Sequence, residues 1–427
     1  MSVRVSIILP SLNVADYIEE TLESVKRQSL YDIQIICIDA GSVDGTWEII
    51  KKCSYGDKRF RLLHSPIKSY GHQVNMGLEI AQGDYVAILE TDDYVTSGMY
   101  ETLYKNAIKW NVDYVKCDYS AFYMDKENNR RLISRVITTN DKYYETPFCP
   151  GNESCAAIDD WYLWNGIYKR SFIINKGITL SETPGAAFQD IGFLHQVLSF
   201  AEKAIYIKDD LHRYRLDRDE ASSNSNKTLF YIRQEYGCLF DKQKNEKNNS
   251  KLLYKRMAKS YVRACMDSSD NVLNSQDGRD ICEWFNEKLI YAQDNNIVKI
   301  EDIPFSMRRI YTKLLESVVE YIDYRNNRLD ELKLFLNNSA DIIIFGCGAY
   351  GMEAYNNIIK RGFKIKAFMD NNNALWGKRI QGINVINPQE VCKLPDDVGY
   401  IIANEKYSGD IERQLRFMKK QINIFIY

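Results

Sequence analysis

The sequence predicts an α/β protein with a doubly wound, mostly parallel sheet first, then a helical connector, then a small second α/β domain. Three observations support this prediction. Short apolar runs alternate with helical stretches over roughly the first hundred residues, long charged stretches with helical spacing follow, and a strand, glycine turn and helix begin near residue 340. Strands that alternate with helices through short polar turns are typical of parallel sheets. We therefore expect domains at 1–226, 227–338 and 339–427.

The N-terminal pattern contains four apolar runs, at 5–9, 34–38, 59–63 and 85–89, and helical spacing at 16–28, from 46, and at 73–82. Asp16 and Glu19 have the spacing of a capping box at the start of the first helix. In an open parallel sheet, ligands bind in the crevice outside the carboxyl ends of the strands. We therefore expect Pro10, Asp39 and the cluster 90–93 to share one edge of the sheet.

The acidic cluster Glu90-Thr91-Asp92-Asp93 directly follows the apolar run 85–89. Mg²⁺ and Mn²⁺ prefer carboxylate and phosphate oxygens, usually from one or two protein carboxylates and the substrate. The cluster therefore predicts a Mn²⁺ or Mg²⁺ site at Glu90, Asp92 and Asp93 that serves a nucleotide diphosphate, with Asp39 accepting hydrogen bonds from the base. In the alternative interpretation, Asp39 only terminates its strand and the cluster is a solvated loop.

Four segments resemble, in order and spacing, the signatures of family 2 glycosyltransferases: 5–13, 39–46, 75–77 with 81–85, and 90–93. The resemblance implies a GT-A fold, a nucleotide-sugar donor (commonly a UDP-sugar), a divalent metal and inversion at the anomeric carbon. Leu12 stands where the family often has Tyr, and Glu90 stands where it often has Asp.

The same resemblance implies roles for individual residues. Pro10 and Asp39 would line the base pocket, and Asn13 belongs to the same donor-binding signature. Asp92 would meet the ribose and the metal, while Asp93 would support the metal.

Two further parts of the donor site are expected from loops. Gly71 lies in a connecting loop, where the lack of a side chain would let the backbone approach the donor closely. Arg213 and Arg215, with the segment 221–225, resemble the family's closing segment, so either arginine could pair with phosphate oxygens. Ordinary surface salt bridges are the alternative for these arginines.

A sugar transfer also needs a base that removes the proton of the acceptor hydroxyl. The family places an acidic pair at the entrance to a helix, and Gln189-Asp190 resembles it, which implies that Asp190 is the catalytic base. The alternative is that Asp190 is only the N-cap of that helix. Nearby, Trp161 or Trp164 could stack on the acceptor sugar, with burial in the core as the alternative.

Composition favours a soluble cytoplasmic enzyme. A net charge of -2 gives no footprint for nucleic acid, and no apolar run approaches the length of a transmembrane segment. The start at Met1 leads within a few residues into a strand, so we expect no signal peptide. The basic stretch 242–256 could touch the inner face of a membrane, although a solvated helix face is the alternative.

The connector shows helical spacing at 230–240, 252–266, 281–292 and 307–335. The span after it contains an apolar strand, the G-x-G-x-x-G turn of Gly346, Gly348 and Gly351, a helix, and a strand that ends at Asp370. This order is the fingerprint of a dinucleotide site, with phosphate at the helix N-terminus. The span resembles the small nucleotide-binding module that precedes acyltransferase domains in bacterial sugar-modifying enzymes. A packing or dimerisation module, and hence a homo-oligomer, is the alternative.

The leading hypothesis is a glycosyltransferase of the hexosyltransferase type. It would move a sugar from a nucleotide-sugar to a hydroxyl of a surface polysaccharide or glycoconjugate, with a saccharide or lipid-linked saccharide as acceptor. The second hypothesis is a nucleotide-binding sensor or sugar-modifying enzyme that acts through the C-terminal module and has a degenerate N-terminal domain. The third is a non-catalytic assembly protein.

Overall fold

The computed structural model describes residues 2–125, 127–138, 140–151, 160–218, 227–243, 250–404 and 407–427. The chain forms two compact units, 1–298 and 299–427. The division falls inside the predicted connector 227–338. Its first helices pack on the N-terminal domain and its last helices belong to the C-terminal unit.

The first half of the N-terminal sheet is parallel, in the strand order β3-β2-β1-β4. Every residue of the two central strands β1 and β2 is buried, as expected where helices cover both faces of a parallel sheet. The predicted β/α alternation is confirmed by β1 (Val5–Ser11), α1 (Ala15–Lys26), β2 (Ile33–Asp39), α2 (Thr46–Ser54), β3 (Phe60–His64), α3 (Tyr70–Ile80) and β4 (Tyr85–Ile88).

The second half of the sheet is mixed. Beyond β4 the order continues β8-β6-β9-β5, with β8 antiparallel to both of its neighbours and β6 parallel to β9. Tyr94 of β5 pairs with Arg213 of β9, which brings the arginine segment beside the acidic cluster. The elements are β5 (Tyr94–Val95), α4 (Met99–Trp110), β6 (Tyr114–Met124), β7 (Arg130–Arg135), β8 (Gly166–Lys169), α5 (Arg170–Asn175), α6 (Gln189–Phe200) and β9 (Ala204–Arg215).

The predicted capping box of Asp16 and Glu19 is wrong. Helix α1 begins at Ala15, its N-cap is Val14, and no side chain of its own caps it. The acceptors come from a distant loop instead: Asp44 accepts a hydrogen bond from the Ala15 amide at 2.9 Å, and Thr46 Oγ1 accepts one from the Val14 amide at 2.8 Å. The β2–α2 loop therefore holds the start of α1.

Helices predominate after β9. Helix α7 packs against α6 and α10, which ties this group to the N-terminal sheet. The predicted stretch 307–335 is two helices, because Ser317 adopts an extended backbone and caps the second helix by accepting the Glu320 amide. The helices are α7 (Thr228–Gln243), α8 (Ser250–Asp267), α9 (Asp270–Asn274), α10 (Gln276–Asp294), α11 (Phe305–Glu316) and α12 (Val318–Asn337).

The C-terminal sheet has the strand order β12-β13-β11-β10-β14-β15, parallel except for the β12–β13 pair. Leaving out β12, this is the 3-2-1-4-5 core of a Rossmann-like fold, as predicted. The elements are β10 (Asp341–Phe345), α13 (Ala349–Lys360), β11 (Ala367–Met369), β12 (Arg379–Ile380), β13 (Ile383–Ile386), β14 (Val398–Ile402), α14 (Ser408–Met418) and β15 (Asn423–Ile426). In neither unit is a described helix both long and apolar enough to cross a membrane.

Candidate active site

The carboxyl ends of β1, β2 and β4 are joined by side-chain hydrogen bonds. The amide nitrogen of Gln73 donates to the carbonyls of Ser11, at 2.9 Å, and Ile38, at 2.7 Å. Thr91 Oγ1 donates to the Pro10 carbonyl at 3.0 Å. These bonds bring Pro10, the end of β2 and the acidic cluster to one edge, as the order of the segments predicts.

Three carboxylates interact electrostatically at this edge. Burial, together with the negative charges of Asp92 and Asp190, raises the pKa of Glu90 to about 8, while a hydrogen bond from Tyr70 and the charge of Arg218 oppose the shift. Tyr70 donates that bond to Glu90 Oε1 at 2.6 Å. A carboxyl group with this pKa is mostly protonated at neutral pH, and a bound cation or a cationic transition state would favour its ionised form.

Asp190 lies in the first turn of α6, but it is not the N-cap. That position is Phe188, whose φ of 65° places it in the left-handed region. Burial raises the pKa of Asp190 to about 6, opposed by a hydrogen bond from the Ile191 amide and by the charges of Arg256 and Lys116. A carboxylate with this pKa is ionised at neutral pH yet basic enough to accept a proton from a sugar hydroxyl.

The cations that lower the pKa of Asp190 form a buried group that the sequence analysis missed. Lys116 pairs with Asp160, whose other oxygen accepts a hydrogen bond from Tyr206 at 2.9 Å. Arg256 is fully buried and donates to the Asp160 carbonyl at 2.8 Å. Arg256 ends the stretch 242–256, so at this residue the expected solvated face or membrane contact is wrong. The one feature of the sequence that could have indicated this buried group was Lys116, a lysine inside an apolar strand.

A second overlooked carboxylate is Glu235 of α7. Ser181 donates to one of its oxygens, and burial raises its pKa to about 7. Glu235 interacts electrostatically with Asp190 and lies against Gly192, where a Cβ would approach its other oxygen to 2.8 Å. Helix α7 therefore contributes to the surroundings of the candidate base, although its sequence carries no recognisable motif.

The two aspartates of the cluster have different environments. Asp92 is partly exposed and forms an ion pair with Arg218 at 2.8 Å. Asp93 is 1% exposed and accepts hydrogen bonds from His212 Nε2 at 2.9 Å and from the Arg215 amide at 2.8 Å. Asp92 is thus the accessible ligand, and Asp93 holds the loop to β9, so direct metal ligation would require breaking these bonds.

The expected phosphate-binding arginines are occupied by protein partners. Arg213 pairs with Asp210 at 2.5 Å, and Arg215 donates to the Asp92 carbonyl at 2.8 Å while pairing with Glu20 at 3.0 Å. The salt-bridge alternative therefore describes both side chains in this structure. Arg218, which no motif in the sequence indicated, is the arginine that pairs with the Asp92 carboxylate. The rest of the closing segment, 221–225, lies outside the described residues.

Two other residues predicted to bind the nucleotide-sugar donor, Asp39 and Asn13, hold loops in place by accepting hydrogen bonds from backbone amides. Asp39 accepts the amides of Gly41 and Ser42, at 2.9 and 3.0 Å, and so caps the turn after β2. Asn13 accepts the Val43 amide at 3.0 Å. Gly71 lies in the first turn of α3 rather than in a connecting loop. The close approach there is to protein rather than to a donor, because a Cβ at Gly71 would lie 1.9 Å from the Ser181 carbonyl oxygen.

The two candidate acceptor tryptophans also differ. Trp164 is 6% exposed and stacks on Tyr214 with a ring separation of 5.1 Å and an angle of 8°. Trp161 is half-buried, and the Arg256 guanidinium lies 4.3 Å from its ring centre. Core packing therefore describes Trp164 in this structure, and an acceptor role for Trp161 stays a prediction.

The side chains at this edge could supply only part of the coordination of a divalent metal. The described residues contain no group of three or more His, Cys, Asp or Glu side chains arranged to hold an ion. Asp92 is accessible, and Glu90 is close enough for the two charges to interact. Two carboxylates are the usual protein share where substrate phosphates complete the coordination of Mg²⁺ or Mn²⁺.

The C-terminal glycine turn has the predicted geometry. Gly346 has φ of 114°, and a Cβ at Gly351 would lie 1.9 Å from the Gly346 carbonyl oxygen. Asp370 accepts hydrogen bonds from the amides of Cys347 and Asn372, both at 2.9 Å. A cavity of about 270 Å³ adjoins Gly346, Gly348 and Asp370. The predicted second nucleotide site thus has space, but its acid is already bonded to the backbone.

Two segments of the chain match known protein families. Residues 6–160 match the family described as glycosyl transferase family 2, and residues 338–424 match the family described as C2185-like, N-terminal. The uncharacterized glycosyltransferase EpsJ of Bacillus subtilis is 30% identical over 220 residues, 49% of this chain and 60% of EpsJ. The glycosyltransferase GlyG of Streptococcus pneumoniae is 29% identical over 225 residues, 50% of this chain and 71% of GlyG.

A solved structure confirms the fold. Residues 1–349 of S. aureus TarS, in complex with UDP-GlcNAc, align with a TM-score of 0.58 at 15% identity, covering 76% of this chain and 92% of that chain. The sheet order, the acidic edge and the sequence match agree with one another. The N-terminal unit of this chain therefore has a GT-A fold, within which residues 6–160 match glycosyl transferase family 2.

Proposed function

We propose that the protein is an inverting, metal-dependent glycosyltransferase that moves a sugar from a UDP-sugar to a hydroxyl of a polysaccharide or glycoconjugate. The observation that carries this proposal is the electrostatic interaction of Glu90, Asp92 and Asp190 at one sheet edge. The UDP and UDP-GlcNAc bound in TarS support the choice of nucleotide.

In this proposal each group has one task. Asp190 takes the proton of the acceptor hydroxyl as that oxygen bonds to the anomeric carbon. The bond from this carbon to the donor phosphate breaks, and its electron pair leaves with the nucleoside diphosphate. A cation held by Glu90 and Asp92 would neutralise the charge that grows on the leaving group. Arg218, which pairs with Asp92, would also pair with a phosphate of the donor.

The test is thermal stabilisation by UDP, GDP, CDP, TDP and NAD, each with and without Mn²⁺, for the wild type and Asp92→Ala. A ligand at a hundredfold excess over its Kd stabilises the folded state by about 2.7 kcal/mol. We expect Mn²⁺-dependent stabilisation by UDP that is lost in Asp92→Ala. Stabilisation by NAD alone, equal in both proteins, would instead support an activity in the C-terminal module.

A further inference from the structure

Helices α7, α8 and α10 enclose a cavity of about 570 Å³ that the candidate active site does not use. It lies entirely within the N-terminal unit. Its volume is in the range of pockets that hold organic ligands.

The guanidinium group of Arg233 lines the cavity. Arg233 of α7 lies 3.7 Å from the ring centre of Trp284 on α10. Gly237, one turn further along α7, makes room for it, because a Cβ there would lie 2.6 Å from Arg233 Nη1. A glycine inside a helix is less favourable than alanine, so this space lowers the stability of the helix.

Arg233 has donors available for a ligand. Among the described residues it makes no hydrogen bond and no ion pair; the stacking on Trp284 is its close contact. Burial lowers the pKa of Arg233, while the charge of Asp241, which lines the same cavity, opposes the shift.

The walls combine aromatic faces with charges of both signs. Tyr254 lines the cavity from α8, and Tyr291 of α10 lies at its rim with 55% of its surface exposed. The carboxylates of Asp241 and Glu287 line it together with Lys288. Aromatic faces pack on the C–H surfaces of sugar rings, while adjacent hydroxyls can accept from a guanidinium and donate to a carboxylate. A nucleotide diphosphate would be repelled by the two carboxylates, and an acyl chain would cover the charged groups without offering them hydrogen bonds.

We propose that this cavity is a second saccharide site, which holds a segment of the acceptor glycan away from the point of transfer. The choice of a saccharide rests on the proposed function, because that reaction needs a glycan acceptor. Binding here requires no turnover, so the site can be tested separately from the reaction.

The experiment is calorimetric titration of the whole protein with maltotetraose, cellotetraose, chitotetraose and a hyaluronan tetrasaccharide. Tyr291→Ala removes the rim ring, and Gly237→Ala fills the space beside Arg233 while favouring the helix. Ile290→Ala is the matched control, because Ile290 is an exposed neighbour of Tyr291 that does not line the cavity. Asp190→Asn reports on the transfer site.

We expect at least one tetrasaccharide to bind the wild type, Ile290→Ala and Asp190→Asn alike, and to bind Tyr291→Ala and Gly237→Ala at least tenfold more weakly. No binding by any probe at millimolar concentration, or equal binding by all variants, would overturn the proposal. Binding lost only in Asp190→Asn would place the saccharide at the transfer site. A wild-type dimer that Tyr291→Ala makes monomeric would show a protein interface instead. If the wild type transfers no sugar but still binds a saccharide in the cavity, only the proposed function would be refuted.

Discussion

The two sheets of this protein end in acidic residues at equivalent places, yet the carboxylates behave differently. At the N-terminal edge, burial and mutual repulsion raise the pKa of Glu90 to about 8, and burial raises that of Asp190 to about 6. At the C-terminal edge, Asp370 accepts two backbone amides at 2.9 Å. Burial therefore opposes ionisation of Glu90 and Asp190 at the first edge, whereas at the second edge the acid holds the glycine turn.

The comparison shows that a strand-end acid is a functional candidate only when its own loop leaves it unsatisfied. A carboxylate that accepts hydrogen bonds from backbone amides is stabilised by the fold. A buried carboxylate beside other carboxylates makes the folded state less stable unless a ligand, metal or proton compensates its charge. The same test separates Asp93, which is bonded to β9, from Asp92, which is partly exposed.

The largest effect is expected at the candidate base. Asp190→Asn removes proton acceptance while keeping the size of the side chain, so the transfer rate should fall by about 10²- to 10⁴-fold. Steady-state transfer from UDP-sugars measures the change, and retained stabilisation by UDP with Mn²⁺ is the control for donor binding. A rate within a few-fold of the wild type would remove Asp190 from the reaction.

The corresponding change at the second edge should affect stability rather than transfer. Asp370→Ala leaves the amides of Cys347 and Asn372 without their acceptor and should lower the free energy of unfolding of the C-terminal unit by about 1–3 kcal/mol. Urea unfolding measures the loss. A fall in the transfer rate as large as that of Asp190→Asn would mean that the two edges do not differ as we infer.

The smallest effect concerns pH. The pKa of Asp190 is raised to about 6, and the base acts only when ionised, so transfer should be full above pH 7 and fall about tenfold per unit below pH 6. A profile of kcat/KM between pH 5 and 8 tests this. The groups that act on Asp190 are Lys116 and Arg256, which lower its pKa, and Glu90 and Glu235, which interact with it as like charges. An acid limb near pH 4 would indicate an exposed base.

Local patterns in the sequence were enough to predict the two sheets, the acidic edge and the glycine turn. Strand and helix periodicity are properties of neighbouring residues, and the carboxyl ends of parallel strands meet whatever the details of packing. The residue roles were harder to predict. The arginines selected on β9 are occupied by Asp210, Glu20 and the Asp92 carbonyl, whereas Arg218 pairs with the Asp92 carboxylate.

By itself, therefore, the sequence determined the order of elements, the edge at which the carboxylates gather and the match of residues 6–160 to glycosyl transferase family 2. The tertiary structure decided which acids stay unsatisfied, what Gly71 approaches, what caps α1 and how the connector is divided. These outcomes depend on contacts between segments far apart in the chain, such as Asp93 with β9 and Asp44 with α1. Burial and hydrogen bonding, which set pKa values, exist only once those segments have packed.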